Sequence, residues 1–496
     1  MSTLTVRRSP TRLLPDSHRV LAKPFLLGEE VLTPGPSRAD LLLARILAIP
    51  EVDVDALVAD ILARYAGRHR DFPGIIRRHF EAVPQSAAAR AQLSASRKQL
   101  IGAYFTHEYS VEAAALFNPS IVFFPAGEML PNGQRRFVMS LRAVGEGHIS
   151  SIEFRTGTVN NAGELSFDPP GHLLVAGERT APRHYHKRLF KAKLDELRAW
   201  NGIAAAVLDP LADKFSAESL EGSLLALEQH GPPKAIWFET ARIIRVLAAS
   251  NYVVTFPGDS ALSERVLFPA GPNETHGMED ARFVRFIDEG VSKYYATYTA
   301  YDGFQIVPQL IETDDFVSFT IQTLNGEAAQ NKGMALFPRK VGGRFVMLSR
   351  KDRENLHLST SDNVHFWNDV EELYRPSQPW ELLQVGNCGS PIETTAGWLV
   401  LTHGVGPLRQ YAIGALLLDL EDPRRVIGCL RDPLLVPDAS EREGYVPNVL
   451  YTCGGLISGD RLVLPYGFSD AGIGVASVSL TELLAELIAS AKELRR

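Results

Sequence analysis

The stretch Gly271-Pro272-Asn273-Glu274-Thr275-His276-Gly277-Met278-Glu279-Asp280-Ala281-Arg282 gathers side chains that can move protons and hold charge: His276, Glu279, Asp280 and Arg282. Its glycines and proline read as a loop between two apolar β-like runs, residues 265–269 and 282–286. A carboxylate on such a loop can face a pocket, and a nearby cation sets its charge state. A solvated turn accounts equally well for one isolated Glu-Asp pair, so the pair gains meaning only from what the rest of the chain brings to it.

The chain has 496 residues, 45% of them hydrophobic, enough for two or three domains or one large repeat fold with additions. A net charge of -7 without a long basic run argues against nucleic acid as a partner. Cys388, Cys429 and Cys453 are too few for a disulfide framework and lack metal-ligand spacing, so they read as reduced core thiols, with no metal site. No apolar segment follows the charged N-terminus, and no run approaches the roughly 18 apolar residues of a membrane span. The expectation is a cytoplasmic protein with no membrane partner.

The elements that must position the charged stretch are mostly strands. Residues 19–25 read as one strand. From Ser37 the pattern turns helical, with Val54, Leu57, Val58, Ile61, Leu62 and Tyr65 on one stripe and further helices over 75–83 and 87–116. After Phe117-Asn118-Pro119-Ser120 one hairpin unit keeps returning, at 136–156, 282–303, 344–361, 398–420 and 461–480. Aligning Tyr298, Arg350, His403 and Tyr466 gives steps of roughly 52, 53 and 63 residues, within reach of propeller-blade periods. The longer gap from Arg142 to Tyr298 holds a helical insertion at about 184–250, marked by Leu189, Leu194 and Leu197, then Leu220, Leu224, Leu225 and Leu227. The fold class is therefore mainly β: a five-bladed β-propeller with an N-terminal helical subdomain and a helical insertion. An ordinary antiparallel sandwich is the alternative. The domain division is 1–116 for the N-terminal strand and helical subdomain, 117–480 for the propeller, and 481–496 for a C-terminal helix. That helix opens on the Ser479/Glu482 capping pattern and has Leu483, Leu484, Leu487 and Ile488 on its apolar face.

Blades converge on one axis, so equivalent positions far apart in sequence can meet. The set so gathered is Glu279, Asp280, Arg142, Lys332, Arg350, His357, His403, Tyr411 and Asp470, with Tyr298, Tyr301 and Trp380 as an aromatic floor. Singly, the cations could be strand-end surface charges and Tyr298 could be core. Together, the cations suit an oxyanion such as phosphate. Glycoside cleavage needs a proton for the leaving oxygen and a nucleophile at the anomeric carbon. If phosphate is that nucleophile it needs cations rather than a base, so one acid beside a basic cluster is the signature of an inverting phosphorylase.

At these residues the chain resembles glycoside hydrolase family 130, the β-mannoside phosphorylases and related β-mannosidases. The motifs are Phe117-Asn118-Pro119, Arg142-Ala143-Val144-Gly145, Gly277-Met278-Glu279-Asp280-Ala281-Arg282, Tyr298-Thr299-Ala300-Tyr301 and Ala335-Leu336-Phe337-Pro338-Arg339-Lys340. Thr402-His403-Gly404-Val405, Leu417-Leu418-Asp419-Leu420, Val446-Pro447-Asn448-Val449 and Tyr466-Gly467 follow. The resemblance implies a five-bladed propeller in which Asp280 is the general acid, donating its proton through a sugar hydroxyl. It implies phosphate contacts from Asn118, Ser120, Arg142, Lys332, Arg350 and Tyr411. It implies substrate contacts from Glu279, Arg282, Tyr298, His357, His403 and Asp470. The implied reaction takes a β-mannoside oligosaccharide and inorganic phosphate to α-mannose 1-phosphate, with no other cofactor. Retention of Lys332 and Arg350 favours phosphate over water. A β-mannosidase and a non-catalytic sugar-binding propeller are the alternatives. The helical subdomain and the insertion depart from the minimal family fold, as do Gln384-Val385-Gly386-Asn387-Cys388-Gly389-Ser390-Pro391 and the proline-free run Ser349–Asn355. Two roles stay open for the helical additions, closing the pocket or building a homo-oligomer interface.

Overall fold

The computed structural model describes residues 4–25, 27, 37–83, 92–124, 130, 133–229 and 234–494. The strand Gly397–Val405 shows how most of them are organised. Every residue along it is buried. Leu399 and Leu401 join a cluster with Leu450, Leu462 and Leu464, whereas Trp398 and Val400 join another with Phe337, Val346 and Leu348. Side chains alternate between the two faces of a strand, so a strand that is apolar throughout is packed on both faces. Sheets of this kind need neighbours on each side, and a ring supplies them.

The ring is a five-bladed propeller. Blade I runs Ala115–Phe123, Arg135–Val144, Ser150–Val159 and Leu165–Phe167. Blade II runs Gly277–Asp288, Val291–Tyr301, Ile306–Thr313 and Ser318–Thr323, extended outward by Tyr252–Thr255 and Glu178–Thr180. Ala335–Leu336, Phe345–Ser349, Leu356–Ser361 and Asp369–Tyr374 make blade III. Gln384–Asn387, Gly397–Val405, Tyr411–Leu418 and Val426–Cys429 make blade IV, with Ile392–Thr394 beside the second of them. Blade V is Leu450–Tyr451, Arg461–Phe468, Gly472–Ser479 and, returning from the N-terminus, Arg7–Leu13. Apolar clusters fill the gaps between successive blades. Val284, Phe286 and Leu310 pack with Met334, Leu336 and Trp367 between II and III. Leu116, Phe137 and Met139 pack with Val463, Ile473 and Val475 between I and V.

All five expected hairpins are present. In blade II, however, residues 282–303 cover the first and second strands, whereas the other four hairpins cover the second and third. Residues 265–269 form no strand, only bridge positions at Arg265 and at Leu267, the latter to Ile152. The stretch 271–282 is not a loop throughout, because pairing with Val291–Tyr301 begins at Gly277. Glu279 and Asp280 therefore sit on a strand.

The strand Arg7–Leu13 has no apolar alternation to announce it. Its place is fixed by pairing with Gly472–Ser479 and by charge. Arg8 Nη2 and Arg12 Nη2 each donate to the buried carboxylate of Glu441 at 3.0 Å, and the Tyr466 hydroxyl donates to it at 2.5 Å. The insertion forms four helices, Lys187–Glu196, Gly202–Leu208, Ala217–Gln229 and Lys234–Ala249, around Phe190, Leu194, Leu220, Leu224, Trp237 and Ile244. Leu197 and Leu225, expected on its apolar stripes, are 46% and 49% exposed. The last helix, Leu480–Leu494, buries Leu483 and Leu487 against blades IV and V, and the Glu482 N–H donates to Ser479 Oγ at 3.3 Å.

A second unit comprises Asp16–Ala113 and Gly171–Ala176. Helices Arg38–Leu47, Glu51–Tyr65, Phe72–Ala82 and Ala95–Tyr104 pack around Ile46, Val54, Phe80, Leu100 and Ile101. The helical reading of 87–116 holds only over Ala95–Tyr104. Residues 87–91 lie outside the described ones, and Thr106–Ser110 is a strand paired with Val20–Pro24, where a strand was expected over 19–25. No helix among the described residues is long and apolar enough to cross a membrane.

Candidate active site at the inner strands

Two inner strands break their ladders at matching places. Pairing in blade I skips from Phe117 to Ser120, and in blade II from Glu279 to Arg282. At these bulges Asn118 (φ 50°) and Asp280 (φ 56°) take left-handed backbone conformations, which Asn and Asp tolerate better than most residues. A bulge re-aims the side chains around it. Here it turns Asn118 and Asp280 toward each other, and Asn118 Nδ2 donates to Asp280 Oδ1 at 2.7 Å.

Cations surround the pair. Arg142 on the second strand of blade I sends Nη1 to within 3.3 Å of Asp280 Oδ1, Nη2 to Glu279 Oε1 at 2.7 Å, and Nε to Ser150 Oγ at 2.9 Å. Lys332, just before blade III, donates to Glu279 Oε2 at 2.5 Å. Both oxygens of Glu279 are thus held by cations. Arg282, 1% exposed, is used inside the protein. It donates to the carbonyls of Cys388 (2.8 Å) and Asp280 (3.0 Å) and to the Tyr451 hydroxyl (2.8 Å). It therefore ties blades II, IV and V together and fixes the backbone of Asp280.

The two carboxyls facing this charge are driven in opposite directions. Burial alone would raise Asp280, but Arg142, Arg282, Lys332 and the Asn118 amide outweigh it and hold its pKa at about 2. Asp470 (φ 50°), after the second strand of blade V, is pushed up to about 6. Burial is the main cause there, Asp280 and Glu279 add repulsion, and Arg142 and Arg409 offset only part of it.

Arg350 and His403 form the adjoining side. Both pack on Gly386, where an added Cβ would lie 2.2 Å from Arg350 Cδ and 2.7 Å from His403 Cε1. His403 is fully buried, and burial with the nearby Arg350 and Arg282 keeps it neutral. It stacks on Tyr411 with ring centroids 6.1 Å apart and tilts against Tyr451 at 4.9 Å. Among the described residues, Arg350 Nε, both polar atoms of the Asn387 side chain and Ser390 Oγ are buried without a hydrogen-bond partner. Such groups are costly unless something pairs with them, and an oxyanion or sugar hydroxyl matches their chemistry.

The remaining candidates lie as follows. Ser120 is buried and its Oγ accepts the Phe283 N–H at 3.0 Å, linking blades I and II. His357 lies beside the turn that follows Arg350, with Nδ1 3.1 Å from the Asn355 carbonyl and Nε2 3.7 Å from Asp352. Tyr298 belongs elsewhere. Its hydroxyl bonds Glu274 and lies 3.1 Å from Gln309 Oε1, in a buried group with Tyr252, so the strand position predicted from spacing is right but the side chain serves the core. Trp380 packs on Gly404 and Gly414, on the face of blade IV opposite His403. Asn387, Arg409 and Tyr451 reach the site without a signal in residue type or spacing, except that Asn387 falls in the departing run Gln384–Pro391.

A family model described as beta-1,4-mannooligosaccharide phosphorylase matches residues 259–488. The chain is 33% identical over 257 residues to a 1,2-beta-oligomannan phosphorylase of Thermoanaerobacter sp. (strain X514), covering 49% of this chain and 82% of that one. The chain belongs to glycoside hydrolase family 130. Other family 130 relatives are a beta-1,2-mannobiose phosphorylase of Listeria innocua, 31% identical over 46% of this chain and 64% of its own, and a beta-1,4-mannooligosaccharide phosphorylase of Ruminococcus albus, 29% identical over 45% and 70%. The solved Listeria innocua beta-1,2-mannobiose phosphorylase is similar with a TM-score of 0.44 and 21% identity, over 77% of this chain and 93% of that one. The family match takes in blades III and IV and, apart from Arg7–Leu13, Glu178–Thr180 and Tyr252–Thr255, blades II and V, and so Asp280, Lys332, Arg350, His403 and Asp470, but not Asn118 or Arg142 of blade I.

Proposed function

We propose that this chain is an inverting phosphorylase that cleaves β-mannosides with inorganic phosphate, giving α-D-mannose 1-phosphate and a shortened acceptor. The observation that carries this reading is an acid, Asp280, set among Arg142, Arg282 and Lys332, beside the Nε of Arg350, which is buried and without a hydrogen-bond partner among the described residues. A phosphate oxygen forms the new bond to the anomeric carbon. The pair of the breaking glycosidic bond goes to the leaving oxygen, which takes the proton that Asp280 delivers through a sugar hydroxyl. Glu279 is unsuited to activating water in this arrangement, because Arg142 and Lys332 occupy both its oxygens. A phosphate dianion drawn in by these cations offsets the charge that lowers the pKa of Asp280, and so shifts the acid toward the protonated form that its role requires.

Asn118, Arg142, Lys332 and Arg350 are assigned to phosphate, with Ser120 and Tyr411 beside them. Asp470, His357, His403 and Glu279 are assigned to the mannosyl unit. Arg282 is a positioning residue that acts through the backbone of Asp280. The names of the relatives, with β-1,2 and β-1,4 linkages, set the range of linkages to test. The test is the synthetic reaction. The protein is incubated with α-mannose 1-phosphate and mannose, glucose, N-acetylglucosamine or mannobioses, and phosphate release is followed. Acceptor-dependent release is expected. Phosphate-independent cleavage of β-mannosides with no synthesis would replace the reading with a hydrolase.

A further inference from the structure

Where the insertion meets blades II and III, a cleft of about 1050 Å³ opens. This is just above the ~300–1,000 Å³ typical of small-molecule sites. Glu196, Arg198 and Arg242 of the insertion line one side, and Asn273, Asn331 and Arg353 of the propeller line another. Each of those propeller residues belongs to a segment that carries a proposed site residue. Asn273 lies in the stretch leading to Asp280. Asn331 directly precedes Lys332. Arg353 closes the turn that begins at Arg350, its N–H donating to the Arg350 carbonyl at 3.2 Å, and its Nε donates to Asn331 Oδ1 at 3.1 Å.

The insertion side is fixed in place. Glu196 accepts the Gly326 N–H ahead of blade III and pairs with Lys193 at 2.6 Å. Arg198 is held at φ 54°, a conformation that costs a non-glycine residue energy, and among the described residues its guanidinium has no partner. At the tip of the neighbouring hairpin, Asp302 Oδ1 accepts the N–H groups of Phe304 (2.8 Å) and Gln305 (2.6 Å). That turn presents Phe304, 94% exposed, next to Gln305, which lines the cleft. One exposed phenylalanine needs no special explanation. An exposed ring one residue from the Gln305 amide, at a cleft that the Arg198 guanidinium also lines, is nevertheless a combination that suits a sugar, the ring on its C–H face and the donors on its hydroxyls. The charges lining the cleft nearly cancel, five basic side chains against four acidic ones, with Lys193 paired to Glu196 and Arg242 to Glu239, which favours a neutral chain over a polyanion.

We propose that this cleft holds the sugar units of an oligosaccharide acceptor beyond the one next to the scissile bond, so that the insertion sets a preference for long β-mannoside chains. The proposal rests on the phosphorylase reading, and the experiment separates the two. Calorimetric titration with β-1,2- and β-1,4-mannooligosaccharides of two to five units reads binding without turnover. Synthesis from α-mannose 1-phosphate reads turnover with the same acceptors and with mannose. Affinity for the preferred linkage is expected to rise with length at least through the third unit. Phe304→Ala and Arg198→Gly (the latter compatible with the observed φ) are each expected to weaken the tetraose about tenfold more than the biose. Synthesis with mannose but length-independent affinity, or variants that weaken biose and tetraose equally, would overturn the cleft and leave the phosphorylase. Length-dependent binding without any synthesis would support the cleft and overturn the phosphorylase.

Discussion

Asp470→Asn should make the protein more stable while impairing it as an enzyme. In the folded chain Asp470 titrates near 6 against an ordinary 3.8, because burial and the neighbouring Asp280 and Glu279 disfavour its charge more than Arg142 and Arg409 favour it. Two pKa units correspond to about 3 kcal/mol. The unfolded chain releases this proton near 3.8 and the folded chain only near 6. Between those pH values the folded state holds the extra proton, so stability falls as pH rises through the window, and the whole cost stands above about pH 6. Asparagine has no charge to desolvate. The variant should therefore gain about 3 kcal/mol at pH 7 but only about 1 kcal/mol at pH 4.5. For a unit of roughly 390 residues this is a rise in melting temperature on the order of 4 °C at pH 7. Calorimetric melting of both proteins at the two pH values, alongside phosphorolysis, reads both consequences. A variant no more stable than wild type at pH 7, or one with an equal gain at pH 4.5, would refute the reasoning. Asp280, whose pKa is lowered, contributes in the opposite sense: its stabilisation is present above about 4 and is lost as pH falls toward about 2.

Asp280→Asn should cost phosphorolysis at least about a hundredfold while leaving the β-sheet circular dichroism unchanged, and near-normal turnover would remove it from the acid's role. Gly386→Ala places a methyl group 2.2 Å from Arg350 Cδ, so the arginine must move. The expected reading is a KM for phosphate raised about tenfold or more with the fold retained, and an unchanged KM would show that Arg350 does not hold phosphate. Replacing both Arg8 and Arg12 by alanine leaves the buried Glu441 carboxylate uncompensated, at a cost of about 3–5 kcal/mol. Denaturant unfolding that matches wild type would show that these pairs do not secure the closing strand.

The parts of this fold that could be read from the sequence are those with a local signature. The five hairpins could be found because each alternates side chains between two apolar faces, and the insertion because its leucines fall at helical spacing. The strand Arg7–Leu13 could not, since its arginines find Glu441 more than 400 positions away and nothing near them in sequence announces it. Equivalent spacing located His403, Tyr298 and Tyr466 on their strands and Arg350 directly after its own, but not the groups each side chain meets. Two of the four reach the candidate site, whereas Tyr298 and Tyr466 each bond a buried glutamate, Glu274 and Glu441. The bulges at Asn118 and Asp280 were equally hidden. A bulge is a property of pairing with a partner strand, and the Glu-Asp pair looked like part of a turn until that partner was in place.

The central claim is that the cations around Asp280 serve phosphate rather than water. Its most direct test is the product formed from a β-mannobiose in the presence and absence of inorganic phosphate, followed by proton and phosphorus NMR. The expected product is α-mannose 1-phosphate, formed with inversion and only when phosphate is present. Release of two free mannose units at a rate independent of phosphate would contradict it.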